Sequence, residues 1–356
     1  MRAPRFLLSI FALGVAVLSI TQPAGSAEKA ATLKFAHFVP PSFILFRPNT
    51  GGGMDEWIKS IKKASNGSIN FKVFPAQQLG KAADHFDMAK NGIADLTMAT
   101  PGYTPGRFPI ISLAEVPFMI SDPRQGSAAF WAWYKKYAAI EMPNVKVLNV
   151  YVMEPMLLHT RNKPVTMPAD IKGMKLRPTH GTLGKYFKLL GASTAHVPVT
   201  EARDLMEKGI VDGLTLQWGS TVAFGVAKSV NHHLDLKMAT GAVLTVMNKR
   251  AYNRLSAAQK KVIDEHATPY WAQRIATPWS MWDIAGRDRI AAMPGHTIHR
   301  LSAEQVAAWK ASAEPILAAW AADVKKRYPK LDPDKMLKEF KALQAKSGGL
   351  TWNVYD

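Results

Sequence analysis

The segment from Met167 to Gly213 constrains the fold of this chain more than any other stretch. Its residues predict an alternation of three strands and two helices. The strands are predicted at Lys175–Arg177, at Thr194–Val199 and from Ile210, and the helices at Thr182–Leu190 and from a Thr200 cap to Gly209. Single helices between consecutive strands imply parallel pairing, with the helices on the faces of the sheet. We therefore expect an α/β fold.

Arg177 stands at the carboxyl end of the first predicted strand, where open α/β sheets bind their ligands. Its neighbours are apolar or turn-forming, so a charged side chain there needs an anionic partner. A guanidinium suits a carboxylate because it donates two parallel hydrogen bonds. Two interpretations remain open: Arg177 binds a ligand carboxylate, or it forms a structural salt bridge with Asp170 in the preceding turn.

Length and a repeated turn predict two lobes. The chain has 356 residues, and 47% of them are hydrophobic, which is enough for two domains with sizeable cores. The sequence KNGIADLTM from Lys90 resembles KGIVDGLTL from Lys208, and two similar lobes that face each other would make a cleft. We expect the first lobe to comprise residues 28–152 with about 241–283. The second should comprise 153–240 with about 284–356. A long helical stretch, kinked by prolines, should join the two lobes.

The first 27 residues predict a secretory signal peptide. Arg2 and Arg5 precede an apolar run from Phe6 to Ile20, and small residues near Ala27 offer a cleavage site. A transmembrane anchor is the alternative, but the run is shorter than the roughly 20 residues needed to cross a bilayer. We expect a protein that is exported and cleaved near Ala27.

Charge and motifs argue against several classes of function. Loss of Arg2 and Arg5 lowers the formal charge from +18 to +16, but the basic residues are scattered singly, so we expect no nucleic-acid partner. The chain has no cysteine, no nucleophile elbow, and no phosphate-binding loop after a strand. The histidines lack clustered acids, so we expect neither a metal site nor a cofactor.

Aromatic residues supply further candidates for a cleft. Tyr103 lies in a loop rich in glycine and proline, and Gln217 and Trp218 follow the strand that begins after Gly213. We expect these three residues to line the cleft. For most other aromatic residues in loops or on the kinked helix, ordinary core packing is favoured; these are Phe224, Trp271, Trp279 and Trp282.

The order of several short segments resembles the substrate-binding proteins of tripartite ATP-independent periplasmic (TRAP) transporters. The segments are LKFAHFVPP, FPAQQLG, NGIADLTM, LAEVPFM, PADIKGMKLR, VPVTEARDLMEKGIVDG and VMNKRAYNRLSAAQKKVIDEHA. The resemblance spans essentially the whole mature chain. It implies a two-lobed fold in which each lobe is a mostly parallel sheet flanked by helices, with a long kinked helix bridging the lobes. It also implies delivery of a ligand to a membrane permease without covalent chemistry.

The resemblance assigns roles to particular residues. It implies that Arg177 pairs with the carboxylate of an organic acid, and it places His37, Phe38 and Gln78 near the cleft. The chain departs from the family pattern in two places. Leu157 stands where many members have a second arginine, and Leu214 to Trp218 replace a mostly polar segment. We therefore expect a monocarboxylate with an apolar or aromatic body.

Three alternatives remain open at this stage. The protein could be an exported enzyme of similar shape acting on a small organic acid, although no nucleophile or acid–base pair can be named. It could serve an ATP-driven importer or a receptor in place of a TRAP permease. A basic protein that binds nucleic acid or a membrane surface is the third alternative.

Overall fold

The computed structural model describes residues 29–347 of the chain. The predicted signal peptide, residues 1–27, lies outside the described part. Among the residues described, no helix combines the length and the apolar character that crossing a bilayer requires.

Strands and helices alternate along most of the described chain. Strands β1 to β11 lie at Ala31–Ala36, Ile69–Phe74, Leu96–Ala99, Val145–Val152, Met156–Thr160, Lys175–Arg177, Ser193–Thr194, Gly213–Leu216, His232–Ala239, Ala242–Asn248 and Thr297–His299. Helices α1 to α12 lie at Gly53–Ala64, His85–Asn91, Pro123–Tyr134, Ala138–Glu141, Gly181–Leu189, Val199–Glu207, Trp218–Ala223, Lys249–Asn253, Ala257–Glu265, Pro269–Ala291, Ala303–Arg327 and Pro333–Lys346. Short 3-10 turns connect several of them.

The strands form two sheets, and each sheet contains one reversed strand. The first sheet has the order β2-β1-β3-β10-β4, and the second has the order β11-β9-β5-β8-β6-β7. Strand β10 runs antiparallel to both of its neighbours, as does β5 in the second sheet. The other pairs are parallel, including β6 with β7 and with β8. The prediction of two mostly parallel sheets flanked by helices is therefore confirmed.

Two short connections join the sheets. Strand β4 ends at Val152 in the first sheet, and β5 begins at Met156 in the second; β9 ends at Ala239, and β10 begins at Ala242. The connections lie side by side, because the backbone N–H of Met153 donates to the carbonyl of Gly241 at 2.9 Å. We call residues 153–155 and 240–241 the hinge segments, and the sheets with their helices the first and second lobes.

Helix α10 bridges the two lobes. Thr268 caps its first turn, and Pro278 lies in its interior. The helix packs against α1 and α3 in the first lobe and against α7 in the second. The approach to α7 is close: a Cβ atom on Gly286 would lie 2.5 Å from the backbone nitrogen of Gly219. The predicted long helix between the lobes, with a proline in its interior, is therefore confirmed.

The C-terminal helices divide between the lobes. Helix α11 contacts α5, whereas α12 packs on the aromatic face of α3. Phe340 meets Phe130 edge-to-face with ring centroids 5.4 Å apart, and the indole of Trp133 donates to the carbonyl of Met336 at 2.9 Å. The position of α12 differs from the expected boundary, which assigned all of 284–356 to the second lobe. The apolar face of α12 covers aromatic side chains that α3 would otherwise expose.

Local predictions succeeded where the chain's own pattern decides the structure. The sequence pattern predicts strands at Ile69–Phe74 and Ala242–Asn248 and helix caps at Ser256 and Ser302, and the structure has all four. The prediction of a strand over Thr194–Val199 was wrong, because β7 ends at Thr194 and α6 begins at Val199 without a cap from Thr200. The carbonyl of Val197 instead accepts hydrogen bonds from Arg177, so this segment leaves the sheet.

Candidate functional site

Arg177 is the last residue of strand β6. It lies at the end of the second sheet that faces the first lobe. Its register partner on β8 is Leu214, and parallel pairing brings the carboxyl ends of the two strands together. The side chain is fully buried. The prediction that Arg177 lies at the carboxyl end of a strand is therefore confirmed.

The guanidinium of Arg177 is held by neutral acceptors. Its Nε and Nη2 donate to the carbonyl of Val197 at 3.0 and 2.8 Å, and its Nη1 donates to the hydroxyl of Thr179 and to the carbonyl of Thr215, each at 3.2 Å. In residues 29–347, no carboxylate forms an ion pair with this cation. Burial lowers the pKa of Arg177 to about 10, while Tyr103 and the more distant Glu201 oppose that shift.

The salt bridge to Asp170 that the sequence left open is not formed. The Oδ2 atom of Asp170 accepts from the backbone N–H groups of Thr166 and Met167, each at 2.8 Å. Asp170 therefore stabilises the turn that contains it and is not bonded to Arg177. A buried guanidinium with only neutral partners remains able to bind an anion, because charge-assisted hydrogen bonds are stronger than neutral ones.

Tyr103 approaches Arg177 from the first lobe. It ends a 3-10 turn at Pro101–Tyr103, and its hydroxyl accepts the backbone N–H of Val199 in the second lobe at 3.4 Å. Burial raises the pKa of Tyr103, and the nearby positive charge of Arg177 opposes that rise. The phenol of one lobe and the guanidinium of the other thus meet across the cleft.

A cavity opens beside this contact and is lined by both lobes, a hinge segment and α10. Its free internal volume is about 30 Å³, and about 410 Å³ lies between the wall atoms when the open mouth and surrounding solvent space are counted. Its wall consists of Phe38, Val39, Phe43, Leu45, Met98, Tyr103, Met153, Thr179, Val199, Leu216, Gln217, Ser220, Phe224, Val243 and Trp279. Apart from Tyr103, Thr179, Gln217, Ser220 and the indole N–H of Trp279, these side chains are apolar. A mostly apolar cavity with a few polar groups is typical of small-molecule sites.

The structure brings four of the seven predicted site residues together. Phe38, Tyr103 and Gln217 line the cavity. Arg177 does not line it, but it donates a hydrogen bond to Thr179, which does. This grouping combines residues of both lobes, as a cleft requires.

The other three predicted residues lie elsewhere. Trp218 is fully buried in a separate cluster with Leu157, Ala227 and Ile290. His37 stacks on Phe46 with ring centroids 3.7 Å apart, and Gln78 is exposed on the surface. Trp218 points away from the cavity because neighbouring residues on a helix face different directions.

The sequence did not single out most of the aromatic wall. Phe43 meets Trp279 edge-to-face with ring centroids 5.6 Å apart, and Phe224 lies 6.1 Å from Phe43. Phe224 and Trp279 were interpreted as core residues, and Phe43 was not considered. A signal was available in each case, since Phe43 follows a Pro-Pro turn and Trp279 follows a proline inside a helix.

The histidines form hydrogen-bonded pairs. His233 lies between His159 and His296, with nitrogen–nitrogen distances of 2.7 and 2.9 Å, and His232 pairs with His299 at 3.1 Å on the other face of β9. Among residues 29–347, no group of three or more histidine, cysteine, aspartate or glutamate side chains has an arrangement that could hold a metal ion. His232 and His233, which are adjacent in the chain, thus point to opposite faces of β9.

The comparison with protein families decides what kind of protein this is. The family model of bacterial extracellular solute-binding protein, family 7, matches residues 36–323. The chain belongs to this family. Its members are periplasmic solute receptors that bind small organic acids and work with TRAP permeases. The resemblance to TRAP substrate-binding proteins is therefore confirmed.

Solved structures of this family have the same fold as this chain. A TRAP solute-binding protein from Rhodoferax ferrireducens, in complex with co-purified benzoate, is 30% identical with a TM-score of 0.83, covering 89% of this chain and 98% of that one. A marine metagenome TRAP protein specific for aromatic acids, in complex with 3-hydroxybenzoate, is also 30% identical with a TM-score of 0.83, covering 90% and 100%.

One sequence relative matches over a shorter stretch. A solute-binding protein of Albidiferax ferrireducens is 24% identical over 205 residues, which are 55% of this chain and 58% of that protein. The chain thus spans less than two thirds of that relative in the alignment.

Proposed function

We propose that this protein is a periplasmic receptor that captures an aromatic monocarboxylate between its lobes and delivers it to a TRAP permease. One observation carries the proposal: a fully buried guanidinium with only neutral partners adjoins a cavity lined by aromatic side chains of both lobes. A carboxylate and an aromatic ring are the two groups that such a site complements.

Arg177 binds the carboxylate in this proposal. Its Nη1 now donates to the hydroxyl of Thr179, a residue of the cavity wall. A carboxylate oxygen that takes the place of this hydroxyl forms a charge-assisted hydrogen bond, which is stronger than the neutral bond it replaces. Tyr103, on the opposite lobe, closes over the same position.

The aromatic wall binds the body of the ligand. Phe43 and Trp279 are nearly perpendicular, with an angle of 87° between their rings, and Phe38 and Phe224 complete this part of the wall. Aromatic rings prefer such edge and face contacts, and each pair adds about 0.5–1.5 kcal/mol beyond burial of area.

The wall favours a monocarboxylate because it contains no lysine or arginine. A dicarboxylate would have to bury its second charge among apolar side chains, which is costly without a partner. Two relatives were solved with benzoate and 3-hydroxybenzoate, which are aromatic monocarboxylates. The wall also lacks a histidine or carboxylate that could serve the Ser220 hydroxyl as a base, which favours a receptor over an enzyme.

Isothermal titration calorimetry of the mature protein tests the proposal. The ligands are benzoate, 3-hydroxybenzoate, succinate and glucuronate, and denaturation followed by mass spectrometry first identifies any acid that co-purifies. We expect an aromatic acid to bind with a Kd near 1 μM or tighter, about −8 kcal/mol, and succinate to bind far more weakly. Tight binding of succinate or glucuronate without binding of either aromatic acid would overturn the proposal.

A further inference from the structure

We infer that Gln217 recognises a hydroxyl group on the ring of the ligand, at the position meta or para to the carboxylate. This inference rests on the proposed function and narrows it from aromatic acids to hydroxylated ones. It starts from a single atom: Nε2 of Gln217 is buried and has no hydrogen-bond partner among the residues that the structure describes.

Gln217 is a built part of the cavity wall. The residue is only 2% exposed, and it is the residue that precedes helix α7. The backbone carbonyl of Gln217 accepts the backbone N–H of Thr221 at 2.9 Å and the hydroxyl of Thr221 at 2.8 Å. Asp283 on α10 accepts the N–H of Gly219 at 2.8 Å and so fixes the first turn of α7. The unpartnered amide group therefore stands on a rigid backbone.

A hydroxyl is the group that satisfies this amide best. A buried polar atom without a partner costs free energy, which a ligand recovers when it supplies the missing bond. The nitrogen and oxygen of a glutamine are exchanged by a flip of the amide, so the open position can be a donor or an acceptor. A hydroxyl both donates and accepts, so it matches either orientation.

The position of Gln217 selects a substituent on the ring over one beside the carboxylate. The carbonyl of Thr215 accepts Nη1 of Arg177, and Gln217 lies two residues further along an extended backbone. At about 3.3 Å per residue, roughly 6–7 Å separate the backbone positions of Thr215 and Gln217, so the two side chains reach the cavity from different points along the strand. An α-hydroxyl lies directly beside the carboxylate, whereas a meta or para hydroxyl lies across the ring.

The other polar residues of the wall lie at two separate ends of the cavity, one near Arg177 and one near Gln217. Thr179 bonds Arg177, and Tyr103 faces it, so both belong to the carboxylate end. Ser220 lies on the same turn as Gln217, three residues later, where its hydroxyl can support the second polar contact. The rest of the wall is apolar except for the indole N–H of Trp279, which is also buried without a hydrogen-bond partner among residues 29–347.

Calorimetry with benzoate, 3-hydroxybenzoate and 4-hydroxybenzoate tests the inference. We expect the wild-type protein to bind at least one hydroxybenzoate roughly tenfold more tightly than benzoate. The variant Gln217→Met keeps the length of the side chain but removes its hydrogen bonds. It should bind all three acids within about twofold of one another, and a cooperative thermal melt followed by circular dichroism shows separately that it folds.

The control is Gln344→Met, the same chemical change on helix α12, where the amide donates to the carbonyl of Met119 outside the cavity. This variant should keep the wild-type preference. Equal affinity of the wild-type protein for the three acids, or an unchanged preference in Gln217→Met, would overturn the inference while leaving the proposed function intact. Failure of the wild-type protein to bind any of the three would overturn both.

Discussion

Arg177 is a cation that folding buries among neutral groups. Burial lowers its pKa to about 10, so the side chain remains protonated at neutral pH. Its five donors are arranged in a planar fork, and three of its bonds go to the carbonyls of Val197 and Thr215. The residue supports the loop at Val197, and the proposed function gives it a second role as the positive charge that binds the ligand.

Substitution of Arg177 should separate these roles. Arg177→Met removes the charge, and we expect benzoate affinity to fall at least about a hundredfold, because a buried charge-assisted pair is lost. Arg177→Lys keeps the charge but not the fork, and we expect a loss of about tenfold or more. Calorimetry measures both affinities.

Thermal melts followed by circular dichroism control for folding in these variants. Both should melt cooperatively but at lower temperature than the wild-type protein, because the carbonyl of Val197 loses two hydrogen bonds. Wild-type affinity of Arg177→Met for benzoate would show that this guanidinium does not bind the ligand.

At the scale of elements, the contact between α10 and α7 joins the bridging helix to the cavity. Gly286 on α10 and Gly219 on α7 allow the two backbones to touch. A Cβ atom on Gly286 would lie 2.5 Å from the nitrogen and 2.6 Å from the Cα of Gly219, and neither atom can move without moving the helix. The position of Gln217 thus depends on a glycine in another element.

The variant Gly286→Ala should destabilise the protein and weaken binding. We expect the free energy of unfolding to fall by about 1–3 kcal/mol, since the two helices must separate. Gly184→Ala on α5 is the matched control, because its Cβ would lie 3.4 Å from its nearest neighbour, the Pro178 ring. There we expect no loss, or a gain of about 0.5–1 kcal/mol from the better helix former. Urea denaturation measures both, and equal stability of the two variants would contradict this account.

At the scale of the whole molecule, a buried carboxyl group joins the lobes. Glu115 ends the 3-10 turn Ile111–Glu115 in the first lobe, and it accepts the hydroxyl of Thr182 on α5 at 2.8 Å. Its Oε2 lies 3.4 Å from Nδ1 of His180, which already accepts the N–H of Leu183. The other ring nitrogen of His180 faces the carbonyl of Thr240 in a hinge segment at 2.8 Å.

Burial shifts both groups toward their neutral forms. It raises the pKa of Glu115 to about 7, with Glu141 adding to the rise and Thr182 and Lys185 opposing it. It lowers the pKa of His180 to about 3, and His196 and Arg177 add to this decrease.

These shifts make the free energy of unfolding depend on pH. The stability that comes from protonated Glu115 is fully present below its ordinary pKa near 4.5 and is lost as the pH rises through 7. The His180 contribution is present above 6.5 and is lost as the pH falls through 3.

The variant Glu115→Gln should therefore gain stability over the wild-type protein as the pH rises from 5 to 8. The amide resembles the protonated carboxyl and keeps an acceptor for Thr182, so the cost of ionisation disappears. We expect a difference of roughly 1–3 kcal/mol at pH 8 and little at pH 5. Thermal melts across this range measure it. Glu314→Gln on the exposed side of α11 should show no such trend, and a flat difference for Glu115→Gln would refute the assignment.

The sequence alone determined much of the local structure and the position of Arg177, the residue proposed to bind the carboxylate. Apolar periodicity and capping residues decide β2, β10 and the helix that Ser302 begins, because those signals act between residues close in the chain. The place of Arg177 at a strand end follows from the turn after it. Phe38, Tyr103 and Gln217 were also predicted near the cleft, and all three line the cavity.

Only the tertiary structure decided which neighbours of these residues face the cavity. Gln217 lines the wall while Trp218, the next residue, packs behind it with Leu157, because the first turn of α7 rotates them apart. Phe43 and Trp279 are far apart in the chain and meet only because α10 crosses both lobes. Contacts of this kind depend on the packing of whole elements, which no local pattern encodes.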